Sequence, residues 1–237
     1  VAVGTGGGIR TSSDTVTWTT QTSLTTTVLR DVTYANNQFT VVGSTGVVRT
    51  STDGTTWVTQ VANAGTFVLY SVAYGNGLWA IGGQSGVIRT STNGTTWVTQ
   101  ISTFGTSSVF RVVYDNGLWV AVGDGGTIRS STDAVTWVTR DAKFGTSVIR
   151  GLAYGNGVWV AGGDVGYITT SSDAVTWISQ INTNFGTTFI NDLRYGDGLW
   201  IAGGNTGNMT TASISSVTAP ISLETNISDY LGVYIKP

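Results

Sequence analysis

The stretch Thr50 to Trp57 reads "TSTDGTTW", and near-copies of it lead into four other tryptophans: "TSSDTVTW" ending at Trp18, "TSTNGTTW" at Trp97, "SSTDAVTW" at Trp137 and "TSSDAVTW" at Trp177. The five tryptophans are spaced by 39, 40, 40 and 40 residues. A period of this length, filled with short β-type segments, predicts a propeller or an array of small sheets.

Reading outward from one turn gives the rest of the repeat. "SVFRVVY" (Ser108 to Tyr114) is a β-rich run, strand a. "DNG" (Asp115 to Gly117) follows, and Asn-Gly pairs favour the positive φ angles of tight hairpins. "LWVAVG" (Leu118 to Gly123) is strand b, nearly continuous in apolar residues and so expected to be buried on both faces. "DGG" leads to strand c, "TIRSS" (Thr127 to Ser131), and the acidic turn delivers strand d, "TWVTR" (Thr136 to Arg140). Four antiparallel strands in ~40 residues is the size of one propeller blade. A second aromatic series, Phe39, Trp79, Trp119, Trp159 and Trp200, stands on strand b and is expected in the core between blades.

The b–c unit occurs six times and strand a five times, because the chain starts inside a blade. The expected fold is therefore all-β: a six-bladed β-propeller of four-stranded antiparallel blades over residues 1–223. The tail 224–237 is a candidate ring-closing or intersubunit strand, since an unpaired edge is a liability that closure removes. A five-bladed ring with the residues beyond Tyr195 as a C-terminal appendage is the alternative. The chain opens on Val1 with no visible signal-peptide pattern, which reads as a mature product or a fragment of something longer.

The recurring run fits S/T-x-D-x-G-x-T-W and resembles the Asp-box of BNR, or sialidase-like, repeat propellers. That family includes sialidases, phage and secreted proteins, and photosystem II assembly factors. Thr50 to Trp57 is a full match; Thr15, Ala134 and Ala174 replace the glycine, and Asn93 replaces the aspartate. The resemblance implies that Asp14, Trp18, Asp53, Trp57, Asn93, Trp97, Asp133, Trp137, Asp173 and Trp177 are scaffold, on the rim away from the binding face. The local chemistry agrees, because an Asx side chain accepts bonds from turn amides.

Catalysis does not carry over with the resemblance. Glycoside hydrolysis generally needs two placed carboxyls, and Glu224 in the tail is the single Glu of the chain. Arg10, Arg49, Arg89 and Arg129 recur on strand c, one per blade, and so belong to the repeat instead of to a converging triad. With no His and no Cys, the commonest general base, the commonest metal ligand and thiolate chemistry are all absent. No cofactor and no metal site is expected, and the chain is not expected to be an enzyme.

Only 10% of residues are charged and the net charge is −2, which excludes the basic footprint of a nucleic-acid binder. No apolar run approaches the ~20 residues of a membrane-spanning helix. Low charge and Ser/Thr/Gly-rich strands point to an extracellular or virion-surface binding or display module. Its expected partner is a glycan or a protein. The competing readings are a structural subunit that assembles into a homo-oligomer or particle through its tail, an assembly factor, and a sialidase-type hydrolase.

Binding residues are expected where the repeat varies, on loops held by the scaffold. In an up-and-down blade the b–c and d–a loops share the end opposite the acidic turns. The d–a loops repeat Phe-Gly-Thr at Phe104, Phe144 and Phe185, and an aromatic beside small polar groups can stack on a sugar. Burial of these rings as caps on the blade edge is the plainer reading. The b–c loops vary at Gln84, Asp124, Asp164 and Asn205. Arg30, Arg111 and Arg150 lie near the start of strand a; Arg30 and Arg150 stand four residues before the repeat Tyr, Arg111 three.

Overall fold

A computed structural model of the chain describes residues 1–180, 188–205, 209–212 and 224–225. It is all-β, with six antiparallel sheets in chain order, each of the propeller-blade type. Blade one has three strands, β1 (Ala2–Val3), β2 (Ile9–Thr11) and β3 (Thr19–Gln21). Blade two is β4 (Leu29–Ala35), β5 (Gln38–Gly43), β6 (Val47–Ser51) and β7 (Val58–Val61). Blade three is β8 (Leu69–Gly75), β9 (Leu78–Gly83), β10 (Ile88–Ser91) and β11 (Val98–Gln100). Blade four is β12 (Val109–Asp115), β13 (Leu118–Gly123), β14 (Ile128–Ser131) and β15 (Val138–Arg140). Blade five is β16 (Ile149–Gly155), β17 (Val158–Gly163), β18 (Ile168–Ser171) and β19 (Ile178–Gln180).

Blade six is β20 (Ile190–Gly196), β21 (Leu199–Gly204), β22 (Met209–Ala212) and β23 (Glu224–Thr225). The residues beyond Tyr195 thus build a sixth sheet, as the six-bladed reading expects and the appendage alternative does not. Glu224 and Thr225 pair antiparallel with Thr211 and Thr210, so the last strand of this sheet starts where the tail was expected to begin. The closing or intersubunit role was expected of 224–237, and residues 226–237 of that tail lie outside the described residues.

The chain divides into two compact units, one holding Val1–Val109 and the other starting at Phe110. Within each, apolar clusters fill the space between consecutive blades. In the first unit, Val42, Val48 and Ala62 of blade two meet Leu69, Val72 and Trp79 of blade three. In the second, Val120, Val122 and Ile128 of blade four meet Ile149, Leu152 and Trp159 of blade five. The strand-b tryptophans Trp79, Trp119 and Trp159 are the largest fully buried side chains and Trp200 is 3% exposed, as their series predicts. Each also packs on the strand-a tyrosine across the hairpin, with ring centroids 5.0 Å apart for Tyr154 and Trp159. Phe39, where the series lacks tryptophan, is half-buried.

Close blade contact needs small residues at chosen points. A Cβ on Gly155 of β16 would collide with the Tyr195 ring of β20. The a–b hairpins turn through residues of positive φ, as the Asn-Gly pairs predict: Asn76 at 48° and Gly77 at 75°.

Candidate functional site

The acidic turns are tied up in their own backbones. Asp53 Oδ1 accepts the Thr55 and Thr56 amides at 2.8 and 2.7 Å and the Ser51 hydroxyl at 2.9 Å. Trp57 Nε1 donates to Gly54 O at 3.0 Å and closes the turn. Asp14, Asp133 and Asp173 repeat the pattern of amides two and three residues on. Asn93 does the same with a neutral oxygen, at 2.9 Å to both Thr95 and Thr96. The amides hold the aspartates below the usual carboxylate range, Asp14 at about 2, chiefly through the Thr17 amide and then that of Val16. Trp18 is half-buried, whereas Trp57, Trp97, Trp137 and Trp177 are buried. Each of these carboxylates is thus committed through Oδ1 to its own turn.

Two of the strand-c arginines hold loops. Arg49 donates through Nε to Ser23 O and through Nη2 to Leu24 O, both at 3.0 Å. Arg89 reaches Ala62 O and Asn63 O at 3.3 and 3.1 Å in the same way. Two successive carbonyls of the d–a loop are thereby satisfied by one fork of donors.

The b–c turns and d–a loops lie together. In blades one to five the b–c turn is a three-residue 3₁₀ turn whose last glycine has positive φ, as in Gly46 at 70°, Gly86 at 71° and Gly126 at 66°. A side chain at Gly126 would strike the carbonyl of Gly145 in the next d–a loop, and the pairs Gly46–Gly65 and Gly86–Gly105 repeat this. Gly46 N also donates to Phe67 O at 2.8 Å. This lock decides the fate of the Phe-Gly-Thr rings. Phe104 and Phe144 are each 3% exposed, so they are caps on the blade edge, the plainer of the two readings, and their alternative role as sugar-stacking residues is corrected. Phe185 lies outside the described residues.

What remains open is the head of strand a. Its register with strand b shifts between Leu29 and Asp31, Leu69 and Ser71, Ile149 and Gly151, and Ile190 and Asp192. The residue inside each shift, Arg30, Tyr70, Arg150 or Asn191, is left out of the ladder, and bulges re-aim side chains. Phe110 occupies the same repeat position in blade four, and Arg111 is one step further on, half-buried. This explains why Arg111 keeps a different spacing from Arg30 and Arg150.

In the first unit, exposed Arg30 places its guanidinium 5.3 Å over the Tyr70 ring. Beside it the Asp31 carboxylate accepts the amides of Val32 and Val72, both at 3.0 Å, and so stitches β4 to β8. Gln84 Oε1 accepts the Val68 amide at 3.3 Å.

In the second unit the Arg150 guanidinium lies 5.3 Å from the centre of the Phe110 ring and 5.7 Å from that of Phe189. Its Nε donates to Asp164 Oδ1 at 3.0 Å. Phe189 is 38% exposed, and Asp164 sits on the b–c turn of the same blade. Next to this group Asn191 Nδ2 donates to Asn205 Oδ1 at 2.6 Å. Asp124 is half-buried on the b–c turn of blade four. The sequence reading marked Arg150, Asp164 and Asn205 separately; it missed Phe110, Phe189 and Asn191, whose signal was their place at or beside the strand-a bulge.

Arg150 makes no other hydrogen bond among the described residues, which leaves its Nη donors for a ligand. Two aromatic faces and one carboxylate fix the plane of the guanidinium, the arrangement suited to a carboxylate. Among the described residues no group of three or more His, Cys, Asp or Glu side chains is placed to hold a metal ion. Nor is any helix among them long and apolar enough to cross a membrane.

No protein-family model matches the chain, and no curated protein matches it. Solved structures do. YCF48 bound to D1 peptide is 16% identical with a TM-score of 0.63, over 83% of this chain and 66% of that one. The computationally designed protein Ika8 is 15% identical with a TM-score of 0.65, over 98% and 76%. The WD40 propeller domain of Doa1 is 18% identical with a TM-score of 0.60, over 78% and 64%. The chain thus spans about two thirds to three quarters of the length of these three. At such identities the likeness is one of fold, and the fold is that of the β-propeller.

Proposed function

We propose that the chain is a non-catalytic binding module that takes a protein segment at the b–c and d–a end of its blades. The observation that carries this reading is Arg150, stacked on Phe110 and Phe189 and oriented by Asp164. A preset guanidinium loses little freedom on binding and offers a carboxylate two parallel donors. The ligand is accordingly a peptide carrying an acidic side chain or a free C-terminus. A propeller of the same fold with a peptide bound supports a peptide as occupant. Low charge and a Ser/Thr/Gly-rich composition support an extracellular or virion-surface setting, and the resemblance of the turns to Asp-boxes supports a scaffold role for them. The test is an array of acidic and neutral peptides probed with the wild-type protein and Arg150→Ala. Selective retention of acidic or carboxylate-ended peptides, lost in the variant, is expected; retention of none, or retention that ignores the variant, overturns the reading.

A structural subunit is the second reading. Val58, Val98, Val138 and Ile178 hold one repeat position on the last strand of four blades, and each is about half exposed. Repeated bare aliphatic groups favour lateral packing against copies of the chain. Light scattering on a variant with all four changed to Thr tests it: a wild-type oligomer that the variant loses supports packing, and a monomeric wild type refutes it.

A further inference from the structure

We propose that the recess beside Tyr167 in blade five is a second binding site, for a neutral pyranose. It rests on residues separate from the Arg150 group. The recess has a volume of ≈ 500 Å³, and its lining includes Phe144, Thr146, Tyr167, Ser179, Gln180 and Lys143. A volume of this order suits a small ligand.

The aromatic ring is the feature the fold does not need. Tyr167 leads into strand c, where the same repeat position holds Val47, Val87 and Thr127. Blades two to four are built without a ring there. In blade five Tyr167 is 51% exposed, and its ring meets buried Phe144 edge to face, with centroids 5.9 Å apart and planes at 84°. Phe144 fixes the ring, and half of the residue's surface stays open to solvent. A rigid, open aromatic ring at a recess is a stacking platform for the C–H face of a sugar.

The polar wall fits hydroxyls and not a charge. Ser179 Oγ donates to Lys143 O at 3.0 Å and keeps its lone pairs for accepting. Gln180 Nε2 donates to Thr170 Oγ1 at 2.7 Å, which fixes the amide and leaves Oε1 as an acceptor. The Thr146 hydroxyl can donate or accept. Lys143 is paired with Asp141, so the one cation of the lining is already neutralised. An acidic sugar would find no unpaired cation among these residues; a neutral hexose would find acceptors and donors at its edge and a ring under its face.

The test is a glycan array carrying neutral hexose-terminated, sialylated and sulfated oligosaccharides, followed by titration of the best neutral hit. The proteins are wild type, Tyr167→Val, Tyr167→Phe and Arg150→Ala. Tyr167→Val installs the residue that blades two and three carry, and its thermal melt reports folding. Wild type is expected to retain neutral glycans; Tyr167→Val should weaken them about tenfold or more, while Tyr167→Phe, which keeps the ring, stays within about threefold. Arg150→Ala should bind the sugar like wild type, which separates this site from the peptide site. The proposal is overturned if wild type retains no neutral glycan, prefers sialylated or sulfated ones, or loses no affinity when the ring is removed. Should Tyr167→Val fail to fold, loss of the sugar in Tyr167→Phe decides against the stacking role, and retention decides for it.

Discussion

Arg150 Nε and Asp164 Oδ1 lie 3.0 Å apart, joining the head of strand β16 to the b–c turn of its own blade. The pair is partly exposed, and such pairs add little to stability. Its consequence is orientation. With Asp164 at one edge and phenylalanine rings against it, the guanidinium has few rotamers left, and the binding proposal rests on that.

The acidic turns make a prediction about pH. Their folded-state pKa values lie below the unfolded value of ~3.9, with Asp14 at about 2 and Asp53, Asp133 and Asp173 lowered as well. A depressed carboxylate stabilises the fold fully above the unfolded pKa and loses that contribution as pH falls through the folded one. With no His or Cys in the chain, the group that titrates near neutrality is the Val1 α-amino group, which burial holds below its usual 8.0, so melting temperature should rise only slightly from about pH 5 to 8 and should drop below about pH 4. Asn93 already makes the same amide bonds without a charge. Asp53→Asn should therefore melt like wild type at neutral pH and lose less on acidification, as scanning calorimetry across pH would show.

Arg49 should be a stability residue and not a binding one. Its guanidinium is buried and satisfies the carbonyls of Ser23 and Leu24. Arg49→Met keeps the stem and orphans both carbonyls, at a cost of ~1–3 kcal/mol. Denaturant unfolding should register that loss, while binding through the Arg150 group stays at the wild-type level.

Blade five breaks the strand-c pattern: Thr169 stands where Arg49, Arg89 and Arg129 stand elsewhere. It is fully buried, and its hydroxyl has no hydrogen-bond partner among the described residues. Thr169→Val removes the orphan at almost constant shape and should stabilise the protein by ~1 kcal/mol. A melting temperature equal to or below that of wild type would show that an unseen partner satisfies the hydroxyl.

The repeat was legible because its signals are local. Asn-Gly pairs such as Asn76-Gly77 set hairpin φ angles, and near-continuous apolar runs such as Leu118 to Gly123 set strands buried on both faces. The one-residue offset of Arg111 from Arg30 and Arg150 was also visible, though only the register shift gives it meaning. Burial of Phe104 and Phe144 was harder to read, because it depends on the contact between d–a loop and b–c turn, such as Gly145 against Gly126. Tyr167 reads in the sequence as an ordinary β residue; its edge-to-face contact with Phe144 is visible only in the fold. The cage around Arg150 draws Phe110, Asp164 and Phe189 from three blades; the 40-residue period sets Phe110 one blade before Arg150, as it sets Arg30 one blade before Tyr70, but Asp164 and Phe189 join only through packing.

The most direct measurement is the affinity of one acidic peptide, selected on the wild-type protein, for wild type and Arg150→Lys by surface plasmon resonance at fixed salt. Lysine keeps the charge but has neither the planar fork nor the stacked face. A clamp that works by geometry predicts about tenfold or greater weakening in Arg150→Lys, with unchanged melting temperature. Equal affinity in the two proteins would contradict it, because a bare positive charge would then be all the site supplies.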